Sequence, residues 1–355
     1  MTTVSLEAAS DRPVLTTAQS VARARSGRAV RRRTVIAVLA VLVVVLFVTS
    51  LMVGKTFYPA SDVLRVVLGE DVAGASFTVG RLRLPRATLA ILAGLCFGLG
   101  GVTFQTMLRN PLASPDIIGI SSGASAAAAF AIVTLSLGSR AVSVAIVAGL
   151  AVAILVYLLA YKGGVAGTRL ILIGIGVAAM LDSMTAYVLS RAAEWDLQAA
   201  QRWLTGSLNG VSWSQALPVL AALVVLAPVL LAQSRNLSVT QLGDDTAAAL
   251  GVRVNRTRLV LIVAAVGLIA FATAAAGPIA FVAFLSGPIA ARLVGPSGSL
   301  LVPAALVGAV LVLVGDLVGQ YGLGTRLPVG VVTGVLGAPY LVYLIVRTNR
   351  SGSSL

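Results

Sequence analysis

Nine apolar runs divide the chain, most of them about twenty residues long. They cover Val35–Gly54, Ala87–Leu108, Ile117–Gly138, Ala141–Tyr161, Leu170–Ser190, Val211–Ala232, Leu259–Ala291, Leu300–Leu323 and Leu327–Val346. A helix rises about 1.5 Å per residue, so each such run is long enough to cross about 30 Å of hydrocarbon. The fold class that follows is all-α and integral to a membrane.

Leu259–Ala291 is too long for one span, since a helix of that length would measure about 50 Å. Gly277-Pro278 breaks it, because Pro278 has no backbone donor and Gly277 lets the chain turn. Two spans meeting there bring the count to ten. Short stretches of Gly and Ala within the spans, such as "GLCFGLGG" (94–101), let helix backbones approach closely where lipid supplies no hydrophobic force.

Charge gives the orientation. Arg23, Arg25, Arg28 and Arg31 to Arg33 hold the N-terminal side of the first span in the cytosol. Ten spans then place Arg109, Lys162 and Arg169, Arg235–Arg258, Arg292, Arg347 and Arg350 inside, as the positive-inside rule expects. The basic tail, 1–33, reads as disordered, 34–347 as the membrane domain and 348–355 as a second cytosolic tail. The net charge of +14 is spread over tail and loops, which excludes a nucleic-acid surface. Arg81, Arg83 and Arg86 fall outside and need a reason of their own. "RLPRATLAILAG" (83–94) and "RLPVGVVTGVLG" (326–337) resemble each other, each opening a span from the outer side.

Residue types bound the chemistry. With no His and one Cys, structural zinc, haem and disulfide frameworks are excluded, and no metal site is expected. Cys96 reads as a small buried hydrophobe. No glycine loop ends in Lys-Ser/Thr, and Lys55 and Lys162 are the only lysines, so P-loop hydrolysis of ATP is not expected. Ionisable residues within spans are few: Asp182, Asp316, and Arg109 and Arg292 near cytosolic ends. This scarcity weighs against a proton-coupled carrier.

Two polar stretches stand out. In "QTMLRNPLASPDIIGISSGA" (105–124), Pro111 and Pro115 forbid a continuous helix, and Asn110, Ser114 and Asp116 are polar where the chain re-enters the bilayer. One reading is a cytosolic turn with Ser114 capping the next helix and Pro115 at its first position; the other is a constriction at the inner mouth of a pathway. In "QLGDDTAAALGVRVNRTR" (241–258), Asp244 and Asp245 suit the positive end of a short helix over 244–250, and Gly251 suits its C-terminal stop. A helix of about 10 Å is unstable alone in water and must pack on its own spans or on a partner. Leu242, Ala247, Leu250 and Val252 offer it an apolar face.

These stretches resemble the FecCD family, the permease subunits of type II ABC importers for iron–siderophore, haem and cobalamin. "RLRLPR" (81–86), "WLTGSLNGVSW" (203–213), "GPIAFVAFLSGPIAARLVGP" (277–296) and "LPVGVVTGVLGAPYLVYLI" (327–345) carry the same resemblance. It implies the ten-span FecCD/BtuC-like permease fold, in the cytoplasmic membrane of a bacterium with both termini cytosolic. It implies that the loop bearing Leu242, Gly243, Asp244, Asp245, Ala248, Leu250 and Gly251 couples to a separate cytosolic ATPase. Asn110, Pro111 and Leu112 would form a cytosolic gate, with Gly167 and Thr168 near it. Arg83, Arg86 and Arg326 would face an extracytoplasmic siderophore-binding protein, whose acids would steer docking. The implied partners are that ATPase, which carries ATP and Mg, and a second permease subunit, a paralogue or a second copy. This chain would bind no cofactor itself.

The chain departs from the family pattern at two places. Ser286-Gly287-Pro288 stands where many members have Val-Pro-His, and Arg326 stands where an acid is common. The alternative function is a gradient-driven secondary transporter with no ATPase.

Overall fold

The computed structural model describes residues 17–114, 119–135, 141–160, 167–295, 298–322 and 324–352. Seven helices among them are long and apolar enough to cross a membrane, and three shorter apolar ones, Ile120–Val133, Val282–Val294 and Val329–Leu344, accompany them. Together they match the ten expected spans.

In chain order the helices are α1 (Thr17–Met52), α2 (Ala60–Val67), α3 (Leu84–Met107), α4 (Ile120–Val133), α5 (Ala141–Ala160), α6 (Gly167–Ser190) and α7 (Glu194–Leu204). There follow α8 (Trp213–Ala232), α9 (Ser234–Thr240), α10 (Asp244–Ala249), α11 (Val254–Ala276), α12 (Val282–Val294), α13 (Leu301–Leu317) and α14 (Val329–Gly352). π-Helical segments, Ser76–Arg83 and Val318–Gly322, precede α3 and α14. The two similar sequence segments thus begin at the end of, or shortly after, a widened helical turn.

α3 is the centre of the bundle and packs against α13, α11, α12 and α8. Its glycines make this possible. A Cβ on Gly98 would lie 2.9 Å from the Ala305 Cα, and one on Gly94 would lie 2.5 Å from the Ala309 Cα. The GxxxG spacing in α3 therefore seats α13 with its backbone nearly in contact. Cys96, between those glycines, is buried.

Helix runs past the apolar spans at both ends. α1 begins at Thr17, well before the span, and α14 continues to Gly352. Once the spans have nucleated these helices, each further residue adds one hydrogen bond, so the polar flanks continue as helix. Arg31 anchors the α1 extension by donating to the Leu293 and Arg292 carbonyls at 3.1 and 3.2 Å, at the C-terminal end of α12. Arg32 donates to the Ser299 carbonyl at 2.9 Å.

α12 carries Pro288 in its interior, which leaves the Phe284 carbonyl without its helical donor. The Gln105 side-chain amide of α3 supplies the bond, at 2.8 Å. Gly287 leaves the room, since a Cβ there would strike that amide. Ser286-Gly287-Pro288 is thus an internally compensated break in a buried helix.

Candidate inner gate and coupling face

At the C-terminal end of α3 the chain turns sharply. Arg109 adopts φ 51°, a left-handed backbone uncommon for a long side chain. Asn110 then folds its side-chain oxygen onto the Leu112 amide at 2.9 Å, closing a local turn. Pro111 is exposed, while Leu112 packs with Phe284, Leu285 and Leu344 of α12 and α14. α4 opens at Ile120 with Gly119, φ 83°, as its N-cap, so Ser114 is not the cap. Ser114 is buried instead. Pro115, Asp116 and Lys162 lie outside the described residues. Gly167 and Thr168 open α6.

A cavity of about 310 Å³ sits against this turn, lined among others by Gln105, Arg109, Asn110, Pro111, Gln241 and Gly287. Ser121, Ser122, Leu204, Pro278, Phe281 and Phe284 help line a second one of about 410 Å³. Phe281 is the N-cap of α12 at φ 63°, a strained backbone for an aromatic residue that costs about 1–3 kcal/mol. Its ring packs edge-on against Phe284, with centroids 6.2 Å apart. Gly337 of α14 provides the space, since a Cβ there would lie 2.5 Å from the Phe281 side chain.

The second polar stretch follows α9. Gly243, φ 111°, turns the chain into α10, whose first residues are Asp244 and Asp245. The helix ends at Ala249, one residue short of the expected span, with Leu250 as its cap. Gly251, φ 85°, donates to the Ala248 carbonyl at 2.9 Å, and Val252 to the Ala247 carbonyl at 3.0 Å. That pair of bonds is a Schellman stop. The apolar residues do not share one face. Ala247 is fully buried against the body, whereas Leu242 and Leu250 are each 63% exposed and Ala248 is exposed.

Asp244 is held from two sides. Arg109 reaches one carboxylate oxygen at 2.5 Å, and Arg258 reaches the carboxylate at 2.9 Å. Arg109 also donates to the Thr240 carbonyl at 3.0 Å. The turn after α3, α9, α10 and the start of α11 are thereby joined.

Just before α3, Arg83 donates to the Leu51, Met52 and Thr56 carbonyls at 2.8, 2.9 and 2.6 Å, which caps the C-terminal end of α1. Its guanidinium also lies 5.1 Å from the Tyr58 ring centroid. Arg86 pairs with Asp316, and its Nη1 donates to the Asn209 side-chain oxygen at 2.6 Å. Arg83 and Arg86 therefore have partners within the chain. Arg81 and Arg326 are exposed and form no ion pair among the described residues. Asp182 lies on an exposed flank of α6. Reading the sequence missed the roles of Gln105, Thr240 and Arg258. A Gln inside an apolar run was the one available signal; the other two depend on which helix ends meet.

Comparisons with known proteins show which family and fold the chain shares. The chain is 40% identical over 314 residues to the achromobactin transport system permease protein CbrC of Dickeya dadantii (strain 3937), covering 87% of this chain and 90% of that one. It is 38% identical to the ferric enterobactin transport system permease protein FepG of Escherichia coli (strain K12), with coverages of 84% and 91%. A solved ABC transporter of metal-chelate type, in an inward-facing conformation, superposes with a TM-score of 0.79 at 27% identity, covering 89% of this chain and 99% of that one. The model of the FecCD transport family matches residues 42–347, and with relatives this close over nearly their whole length, the chain belongs to that family.

Proposed function

We propose that this chain is the transmembrane permease subunit of an ATP-driven importer for iron–siderophore complexes, working by alternating access. A separate cytosolic ATPase, with its ATP and Mg, docks on α10. A second permease subunit completes the pathway, and an extracytoplasmic binding protein delivers the cargo. The assembly lies in the cytoplasmic membrane of a bacterium, with both termini in the cytosol.

The observation that carries this reading is the pair Leu242 and Leu250. Both are largely exposed on a loop whose remaining contacts tie it to the gate turn. Two bare leucines flanking a six-residue helix fit a protein partner, because burying each would contribute about 1.5–3 kcal/mol. On the outer side, exposed Arg326 is the charge available to acids on the binding protein, while Arg83 and Arg86 act by holding the platform on which that protein sits.

The test is to tag the chain in its native host, solubilise it gently and identify by mass spectrometry what co-purifies. Recovery of a P-loop ATPase with a second ten-span paralogue supports the reading and establishes a heterodimer; the ATPase alone points to a homodimer. No ATPase in several mild detergents, with uptake that survives ATP depletion and collapses with an uncoupler, overturns it in favour of a secondary transporter.

A further inference from the structure

Asp244 sits where three parts of the chain meet. Its carboxylate takes the Arg109 guanidinium at the end of α3 and the Arg258 guanidinium in the first turn of α11, while it belongs itself to the first turn of α10. Asp245 beside it is exposed and forms no ion pair among the described residues. α10 is too short to hold itself on the body, and Ala247 is its one buried residue. Among the described residues, the side-chain bonds that leave α10 are those of Asp244. Arg109 is directly followed by Asn110, whose side chain shapes the turn carrying Leu112. The left-handed backbone at Arg109 persists because bonds to Asp244 and to the Thr240 carbonyl surround it.

We propose that Asp244 is a positioning residue that transmits displacement of α10 to the inner gate through Arg109, with Arg258 keeping the same carboxylate registered on α11. The proposal rests on the coupling reading given above. Asp244 here faces inward as a linkage, and the ATPase meets the leucines beside it. A charge-assisted bond suits this role, because it carries displacement in a defined direction. An apolar contact would slide.

The experiment uses the whole transporter in proteoliposomes, with cargo-loaded binding protein on the outer side. ATPase affinity, ATP hydrolysis and cargo transported per ATP are measured for wild type, Asp244→Asn, Asp244→Glu, Arg109→Gln and the double variant Asp244→Asn/Arg109→Gln. In Asp244→Asn the cargo transported per ATP hydrolysed falls about tenfold, within the ordinary range of coupling between sites. Asp244→Glu, which retains the carboxylate, recovers most of the loss. The double variant is no worse than Asp244→Asn, because both changes remove one bond. Unchanged transport per ATP in Asp244→Asn overturns the proposal and leaves the coupling reading intact. Loss of the ATPase from that variant alone also overturns it, by making Asp244 a docking contact. Losses that multiply in the double variant overturn it as well. A wild-type chain that binds no ATPase removes the coupling reading itself.

Discussion

Arg86 and Asp316 stand 230 residues apart in the sequence and form a bidentate ion pair between the N-terminal end of α3 and the C-terminal end of α13, with Nη2–Oδ1 at 2.7 Å and Nε–Oδ2 at 2.9 Å. Asp316 accepts a further bond from the Gln320 side-chain amide at 2.9 Å. The pair locks one end of the α3–α13 contact. Its Asn209 bond ties in the segment before α8, whose Ser207 amide donates to the Ala276 carbonyl at 2.7 Å. A carboxylate this close to the hydrocarbon is tolerated because each of its oxygens has a donor.

Asp316→Asn leaves the Arg86 guanidinium with little solvent and no counter-charge, and is expected to cost about 3–5 kcal/mol. Arg86→Gln is expected to cost a similar amount. In the double variant the loss is smaller than the sum, since both changes break one interaction. Thermal unfolding of the detergent-solubilised protein reads all three.

Leu250→Asp is expected to abolish ATP-coupled uptake while leaving thermal stability within about 0.5 kcal/mol, as is usual for an exposed position. Uptake of labelled chelate by whole cells, with membrane insertion checked by blotting, measures the effect. Persistent uptake would move the ATPase contact away from α10.

Gln105→Leu removes the donor that replaces the one missing at Pro288. The orphaned Phe284 carbonyl is expected to destabilise the protein by about 1–3 kcal/mol. Adding Pro288→Ala returns a helical donor to that carbonyl, so the double variant should melt above Gln105→Leu alone. If it melts lower, the compensation between the two helices is not the explanation.

Gly98→Val forces α3 away from α13, since even a Cβ would lie 2.9 Å from the Ala305 Cα. Overpacking of this kind is expected to cost about 1–3 kcal/mol or more. Yield of folded protein by size-exclusion chromatography checks it.

Arg326→Glu reverses an exposed charge at the outer mouth. Capture of the binding protein is expected to weaken at low salt, with the difference shrinking near 0.15 M as a screening length of about 8 Å takes over. Surface plasmon resonance on the reconstituted transporter at two ionic strengths measures this. Equal affinities at low salt would exclude Arg326 from the contact.

Span number, the break at Gly277-Pro278, the polar turn after α3 and the short capped helix after α9 were all legible in the residues. Each is a local consequence of composition: twenty apolar residues need a membrane, proline lacks a donor, and glycine accepts a positive φ. The FecCD resemblance was legible for the same reason, because its motifs are contiguous. What the sequence could not determine is which side chains meet. Arg83 and Arg86 look alike as outward basic residues, yet one caps the end of α1 and the other neutralises Asp316. Leu242, Ala247 and Leu250 look like one apolar face, yet only Ala247 turns inward. Asp244 looks like a residue serving a helix dipole, and the fold makes it a junction of three helices. Pairings of this kind depend on the close approach of α3 to its neighbours, a property of packed backbones that no local window contains.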